Sequence, residues 1–186
     1  SLKEALEACT NGETVKLIAD ITYGDSDIVN AIGGATGFGD YPNPSIIYVG
    51  GTKGENGAAN QPSNVNAVLD LNGHTIESDA TATLKATAGK LTIVDNSAEK
   101  TGAIVSNGKK AIHSSAFVAI QSGKFVGTIT TDNGQADDSQ VSISGGNFSV
   151  EPNANIIKHT YITVLAEDGT YNVIPDEYEV IIIANG

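Results

Sequence analysis

The stretch Leu69-Asp70-Leu71-Asn72-Gly73 is the first of four similar segments that decide the fold of this chain. The first residues of the four segments are 22, 27 and 23 positions apart. Periods of this size, with short strands and polar turns in each unit, are typical of a solenoid. The other three segments are Leu91-Thr92-Ile93-Val94-Asp95, Val118-Ala119-Ile120-Gln121-Ser122-Gly123 and Val141-Ser142-Ile143-Ser144-Gly145-Gly146.

Further apolar strands follow within the units. A second strand is predicted at Thr75-Ile76, Ala103-Ile104-Val105, Phe125-Val126-Gly127 and Phe148-Ser149-Val150, and a third at Thr83-Leu84-Lys85 and Ala111-Ile112-His113. A single unit has too little apolar surface to fold alone, so the units are expected to stack and to pair as parallel sheets. The sequence therefore predicts an all-β, right-handed, single-stranded parallel β-helix.

The stacking predicts which side chains meet. Because side chains alternate along a strand, Asp70, Thr92, Ala119 and Ser142 are expected to face outward. A leucine-rich repeat is disfavoured, since its Leu-x-x-Leu-x-Leu pattern is absent. A sandwich of β-hairpins is the stronger competitor. One inward column is predicted to hold Leu69, Leu91, Val118 and Val141, and the next Leu71, Ile93, Ile120 and Ile143.

The two ends of the chain differ from the coils, and the whole of 1–186 is interpreted as one domain. Residues 1–12 predict an N-terminal cap, in which a helix over 1–9 buries Leu2, Ala5, Leu6 and Cys9 on one stripe. Residues 24–64 are predicted to be an inserted loop region with one internal strand, and 66–158 the regular coils. Asp168-Gly169 predicts a hairpin within a C-terminal cap at 159–186. The last strand, Glu179–Ile183, must pair within this cap or with another chain.

Composition excludes several partners. The net charge is -12, and all ten basic residues are lysines. An acidic chain without arginine is expected to bind no nucleic acid. No run of about 18 apolar residues is present, so no membrane insertion is predicted. Cys9 is the only cysteine, which excludes an internal disulfide.

At this point the sequence resembles a known family. The stretches SLKEALEACTNGETVKLIADIT (1–22), LDLNGHTI (69–76), GAIVSNGKKAI (102–112) and VSISGGNFSVEPN (141–153) are similar to pectate-lyase-like β-helix domains of surface and secreted proteins of gut Firmicutes. The resemblance covers residues 1–22 and 66–174. It implies an exported β-helix, often one module of a larger cell-surface protein and usually without an assigned activity.

Ligand contacts are predicted in the inserted region rather than in the coils. Phe38, Tyr41 and Tyr48 lie among Asp40 and Asn43, and aromatic rings beside polar groups are typical of carbohydrate sites. The alternative is that these rings only anchor the loop to the solenoid wall.

A calcium site is a second hypothesis for the region. Asp25 and Asp27 supply carboxylates on either side of Ser26, and calcium prefers oxygen ligands. No cofactor is required by the sequence; calcium is the one that its residues could bind.

Catalysis is disfavoured. The resemblance implies a basic residue, generally arginine, beside bound calcium for lyase activity, and this chain has none; Lys85, Lys109 or Lys110 would need a strongly lowered pKa to act as the base. Asp137-Asp138 is the only pair of adjacent aspartates, and its polar surroundings favour a solvated turn over a hydrolase site. The histidines His74, His113 and His159 show no zinc-ligand spacing, and Asn147-Phe148-Ser149 matches a glycosylation pattern only by coincidence.

The favoured function is a non-catalytic extracellular module, secreted or on a bacterial cell surface, that supports adhesion or carbohydrate contact. The partners are expected to be glycans, or another chain through Glu179–Ile183. Two alternatives stay open: a structural, oligomerising virion component such as a phage fibre or decoration protein, and a polysaccharide lyase or hydrolase.

Overall fold

The computed structural model describes residues 2–23, 45–49, 65–80, 82–86, 89–114, 116–131 and 140–177. These residues form one short helix, α1 (Leu2–Glu7), a 3-10 turn at Ala154–Ile156, and strands. The chain is thus strand-rich, as predicted. The strands are β1 (Glu13–Lys16), β2 (Ile21–Tyr23), β3 (Ser45–Val49), β4 (Asn66–Asp70), β5 (Thr75–Ser78), β6 (Ala82–Ala86), β7 (Lys90–Val94), β8 (Ala103–Ser114), β9 (Phe117–Ile120), β10 (Lys124–Thr131), β11 (Val141–Ile143), β12 (Asn147–Phe148), β13 (Tyr161–Leu165) and β14 (Tyr171–Pro175).

The first sheet contains the strands that begin each unit. Its order is β1-β4-β7-β9-β11, and every neighbouring pair is parallel. Inward side chains of neighbouring strands lie opposite one another and are buried because the next coil covers them. One column holds Ala67, Leu91, Val118 and Val141, and the next holds Val15, Leu69, Ile93, Ile120 and Ile143.

The second sheet contains the later strands of each unit. Its order is β13-β14-β12-β10-β8-β5-β2, with β3 and β6 on a branch against the second half of β8. All its pairs are parallel up to β12, after which β12–β14 and β13–β14 are antiparallel. The predicted second strands therefore pair with the second strands of neighbouring units, and the predicted third strands pair with each other. The predicted hairpin around Asp168-Gly169 is also confirmed.

Two details of the predicted stacking are wrong. Leu69 lies opposite Ile93 rather than Leu91, because β4 already begins at Asn66 and the small Ala67 occupies the first inward position. The shift is two residues, so Leu69 and Leu71 keep their inward face and are fully buried. Asp70, predicted to face outward, is 4% exposed because polar groups of the next turn surround it.

Two other predicted elements are found near their predicted positions. The helix α1 ends at Glu7, two residues earlier than predicted; Leu2 and Leu6 on it are buried, and so is Cys9 just beyond its end. Burial raises the pKa of the Cys9 thiol, which suits a small core residue. Within the region predicted as an inserted loop, β3 pairs in parallel with β6 and so extends the sheet.

Two buried carboxylates organise the turn between the two sheets. Asp95 is fully buried and accepts hydrogen bonds from the backbone N–H groups of Gly73 (2.9 Å), Ser97 (3.1 Å) and Gly102 (2.7 Å). Asp70 accepts from the backbone N–H groups of Asn72 and Asn96, both at 3.0 Å. These carboxylates satisfy turn N–H groups that water cannot reach.

Asp95 makes the stability of the fold depend on pH. Burial raises its pKa, but the hydrogen bonds from Ser97, Gly102 and Gly73 outweigh burial and leave the pKa lowered. A lowered folded-state pKa stabilises the fold fully above the unfolded-state value of about 3.9, and this stabilisation is lost as the pH falls through the folded-state pKa.

We therefore expect Asp95→Asn to reduce the free energy of unfolding at pH 7 by about 1–3 kcal/mol, since an amide NH₂ would face backbone donors. The variant should also lose part of the acid-induced decrease in stability. Urea unfolding at pH 7 and at pH 3 measures both effects. Glu99→Gln, at an exposed carboxylate in the same turn, is the control. An Asp95→Asn curve that superimposes on the control would contradict the assigned role.

Candidate functional site

Most of the residues predicted to bind ligands lie outside the described residues. This holds for Phe38, Asp40, Tyr41 and Asn43 and for the calcium candidates Asp25 and Asp27. Tyr48 lies on β3, whose backbone pairs with β6, and its side chain is not among the described ones. Asp137-Asp138 and the strand Glu179–Ile183 also lie outside the described ranges. These hypotheses therefore stay predictions.

The three histidines lie apart from one another. His74 Nδ1 is 3.2 Å from Asp20 Oδ1 in a turn, His113 Nδ1 is 2.9 Å from Thr130 Oγ1 on the second sheet, and His159 is exposed near the C-terminal hairpin. Among the residues that the structure describes, no group of three or more His, Cys, Asp or Glu side chains is placed to hold a metal ion.

The outer faces of the two sheets differ in chemistry. The central outward column of the first sheet holds only small or aliphatic residues: Thr14, Val68, Thr92, Ala119 and Ser142. On the second sheet, Lys85 lies opposite His113, which lies opposite Thr130. Lys110 lies three residues before His113, opposite Ala82 and Thr128, so Lys85 and Lys110 both lie where β6 pairs with β8.

A cleft of about 820 Å³ lies at the C-terminal end of the stack. It lies between the 3-10 turn and the first strand of the hairpin, β13. Its lining residues include six that carry a tyrosine ring, two carboxylates, an amide, an imidazole and an ammonium group. They belong to Tyr161, Glu151, Asp176, Asn153, His159 and Lys158.

Local sequence explains how the chain forms this cleft. Asn153 caps the 3-10 turn by accepting a hydrogen bond from Asn155 N (2.9 Å), and Ile156 anchors the turn in the core. Ile157 then bridges to Ile143, which continues the first sheet by one more step. A turn closed by the hydrogen bond from Tyr161 N to Lys158 O (3.0 Å) directs the chain into β13.

Thr160 in this turn has an unusual backbone conformation. Its φ is 76°, in the left-handed region that β-branched residues avoid. Its carbonyl accepts a hydrogen bond from Asp176 N (2.8 Å), which holds the end of β14 against the start of β13. Backbone strain of this kind clusters at functional sites, where the surrounding structure holds the residue in place. Thr160 lies at the edge of the cleft.

The Tyr161 ring gives the cleft an apolar surface among hydrogen-bonding groups. The ring is half-buried, and Lys158 Nζ lies 5.9 Å from its centroid. An exposed cation–π contact of this length contributes only about 0.5–1 kcal/mol, so a ligand can displace the ammonium group. The cleft therefore offers what a sugar ring needs: an aromatic face and nearby carboxylate, amide and imidazole groups.

Sequence reasoning did not find this site. The signal was Tyr161, directly preceded by Lys158, His159 and Thr160 at the start of the predicted hairpin. The inserted region holds more aromatic residues, and its composition therefore predicts a carbohydrate site there instead. That Glu151 and Asn153 face the same space depends on the turn at Ala154–Ile156, which the repeat pattern does not predict.

Comparison with known proteins gives no match: no family model matches the sequence, and no curated protein and no solved structure is similar to it. The resemblance to pectate-lyase-like domains therefore stays a prediction. None of the helices in the described ranges is both long and apolar enough to cross a membrane.

The strain at Thr160 can be measured. Asparagine tolerates the left-handed region better than threonine, so Thr160→Asn should raise the free energy of unfolding by up to about 1 kcal/mol. Thr163→Asn places the same residue in the middle of β13, where it should lower the melting temperature. Thermal unfolding of both variants separates the two effects. Equal losses of stability would show that Thr160 carries no strain.

Proposed function

We propose that the paired strands form a single right-handed parallel β-helix. Three observations support this: the parallel register of both sheets, the return of each unit to the first sheet after its second-sheet strand, and the burial of the inward columns. Right-handedness follows from the near-universal hand of parallel crossover connections. A sandwich of hairpins is disfavoured, because among the described strands antiparallel pairs occur only at β12–β14 and β13–β14.

Removing one whole coil tests this proposal. Deletion of residues 91–117 joins Lys90 to Val118, and Lys90 already lies opposite Phe117, so the junction stays in register and β9 can pair with β4. We expect a folded, shorter protein with a cooperative but lower melting transition, because solenoid stability is a sum over coils.

The control deletion has the same length but a different phase. Removing 104–130 joins Ala103 to Thr131, which do not occupy successive positions of the repeat unit, so the strands after the junction lose their register. It should abolish cooperative unfolding measured by circular dichroism. Loss of folding in both variants would count against a β-helix.

For the function, we propose a non-catalytic module of an exported protein, secreted or on a cell surface, that contacts carbohydrate in the C-terminal cleft. The observation that carries the proposal is the half-buried Tyr161 ring among Glu151, Asn153, His159 and Asp176. The coils serve as the scaffold: the small side chains of the central column on the first sheet carry no ionisable group, and the sequence contains no arginine.

A glycan array, screened with and without calcium, identifies ligands, and substitution of Tyr161 tests the site. Tyr161→Ala should weaken binding of a positive glycan by about tenfold or more, since a buried aromatic contact is worth more than about 1 kcal/mol. Phe117→Ala removes another half-buried ring, on the first sheet, and should leave the affinity unchanged. Equal affinities of Tyr161→Ala and the native chain would place the contact elsewhere, as would a calcium requirement that tracks Asp25 and Asp27.

A second candidate function is a structural subunit of a larger assembly, such as a virion fibre. One observation favours it. Of the seven large hydrophobic side chains that are exposed among the described residues, four lie on the β13–β14 hairpin: Ile162, Val164, Leu165 and Ile174. Exposed aliphatic side chains grouped in this way are typical of contact surfaces.

A further inference from the structure

Strand β13 is an edge strand of the described part of the second sheet. It is the last strand of its sheet, and β14 is its only partner among the described strands. The hydrogen bonds from Asp176 N to Thr160 O and from Ala166 N to Thr170 O show that even-numbered residues of this segment bond toward β14. Since the direction alternates along an antiparallel strand, the backbone groups of Thr163 and Leu165 point to the open side.

The residues of β13 carry none of the usual sequence features that prevent strand addition. Natural edge strands carry charges, prolines or bulges that prevent pairing. The sequence Tyr161–Leu165 has no charged residue and no proline, and it is rich in β-branched side chains. By contrast, β14 ends in Pro175, which has no N–H to offer beyond the short β12. Of these two strands, β13 is therefore the one open to a partner.

We propose that a second copy of the chain docks along the open edge of β13, antiparallel to it and centred on Thr163. In this register Thr163 lies opposite Thr163 of the second copy, Ile162 opposite Val164, and Tyr161 opposite Leu165. All five residues of each strand are used, and every pair except the central one is apolar. Leu165, 64% exposed in one copy, would gain a tyrosine neighbour.

The charges at the two ends of β13 favour this direction. Lys158 and His159 precede the strand, and Glu167 and Asp168 follow it. Hydrogen bonds from Thr170 lower the pKa of Asp168, which keeps this carboxylate ionised. Antiparallel docking places the acidic loop of each copy near Lys158 of the other, whereas parallel docking would bring the two acidic loops together.

Other acidic groups near the start of β13 do not reverse this preference. Asp176 donates its N–H to Thr160 O and so stays on the β14 side, away from the open edge. Glu151 lines the cleft as well, and it is the carboxylate that the acidic loop of the second copy would approach. Lys158, whose ammonium group lies 5.9 Å from the centroid of the Tyr161 ring, is a cation at the same end of the strand.

The chain's own segment Glu179–Ile183 is the competing occupant of the same edge. Only Glu177 and Tyr178 separate it from Asp176, which is bonded to Thr160. The three Cα–Cα steps from 176 to 179 span about 10 Å, which equals the two strand spacings from β14 to the far side of β13, so Glu179 could pair there only after a fully extended connection. A second copy has no such restriction, and a substitution in the tail tests the alternative.

This self-association does not depend on carbohydrate binding. A cysteine cross-link tests its register. Opposed residues of a hydrogen-bonded antiparallel pair lie about 5.5 Å apart at Cα, within the disulfide range of about 4.4–6.8 Å. Thr163→Cys should therefore form a disulfide-linked dimer on mild oxidation. The native Cys9 is buried at 6% exposure and remains in all variants.

Leu165→Cys is the matched control. In the proposed register the two copies of residue 165 lie four positions apart along the strands, about 14 Å, which is beyond disulfide reach. A dimer with Thr163→Cys and none with Leu165→Cys is expected. Equal yields from both, or no dimer with Thr163→Cys, would overturn the proposal.

Sedimentation velocity over increasing concentration tests the unmodified chain. We expect a monomer–dimer equilibrium that Thr163→Pro shifts to monomer, because proline removes the N–H that points to the open edge. Ile182→Lys, in the tail, and Val126→Lys, at another exposed position, should leave the equilibrium unchanged. A native chain that stays monomeric, or a dimer lost in Ile182→Lys but not in Thr163→Pro, would overturn it.

Discussion

The register between the parallel strands of successive repeat units is the constraint on which the rest of the structure depends. Each strand of the first sheet has only one or two inward aliphatic side chains, too few to exclude water alone. Leu69, Ile93 and Ile120 are buried because each covers the next in line. A slip of one residue would turn all of them to solvent. A slip of two would keep the face, so the apolar pattern alone does not fix the register.

The buried carboxylates supply what the apolar pattern lacks. Asp95 accepts a hydrogen bond from Gly73 of the preceding unit, and its own N–H donates to Ser122 Oγ of the following one. Asp70 is likewise bonded to Asn96 of the next unit. A slip of two residues would leave these groups buried and unpaired, a penalty of about 1–3 kcal/mol each. Hydrophobic burial therefore selects the face, and the polar turn selects the register.

This division of roles explains what could be predicted from the sequence. The strands, the parallel pairing, the helix α1 and the hairpin follow from periodicity and turn residues, which are local signals. The partner of Leu69 could not be found in the same way, because Ala67 is too small to stand out in the pattern. The burial of Asp70 could not be predicted for a different reason. The alternation of side chains along a strand takes no account of a carboxylate that accepts backbone N–H groups of the next unit.

The candidate site was hidden for a related reason. The cleft joins Glu151 and Asn153 to Tyr161 across a 3-10 turn, and no repeat relates these residues. The chain departs from the repeat here, where the pairing of the second sheet changes from parallel to antiparallel. The antiparallel β14 covers the short β12, and β13 then becomes the outermost strand. Ending the stack thus creates both the cleft and the open edge.

Cleft and edge share residues, and this sharing has a physical consequence. Tyr161, Ile162 and Thr163 line the cleft and also form most of the open strand. A sugar stacked on Tyr161 and a second copy paired at Thr163 would contact the same five-residue strand, so each should exclude the other. By linkage, a ligand that binds only the monomer shifts the association equilibrium toward monomer by RT ln(1 + L/Kd) for each copy, where L is the free ligand concentration. If both proposals hold, the chain would exchange self-contact for glycan contact at one strand, without any change in the parallel strands.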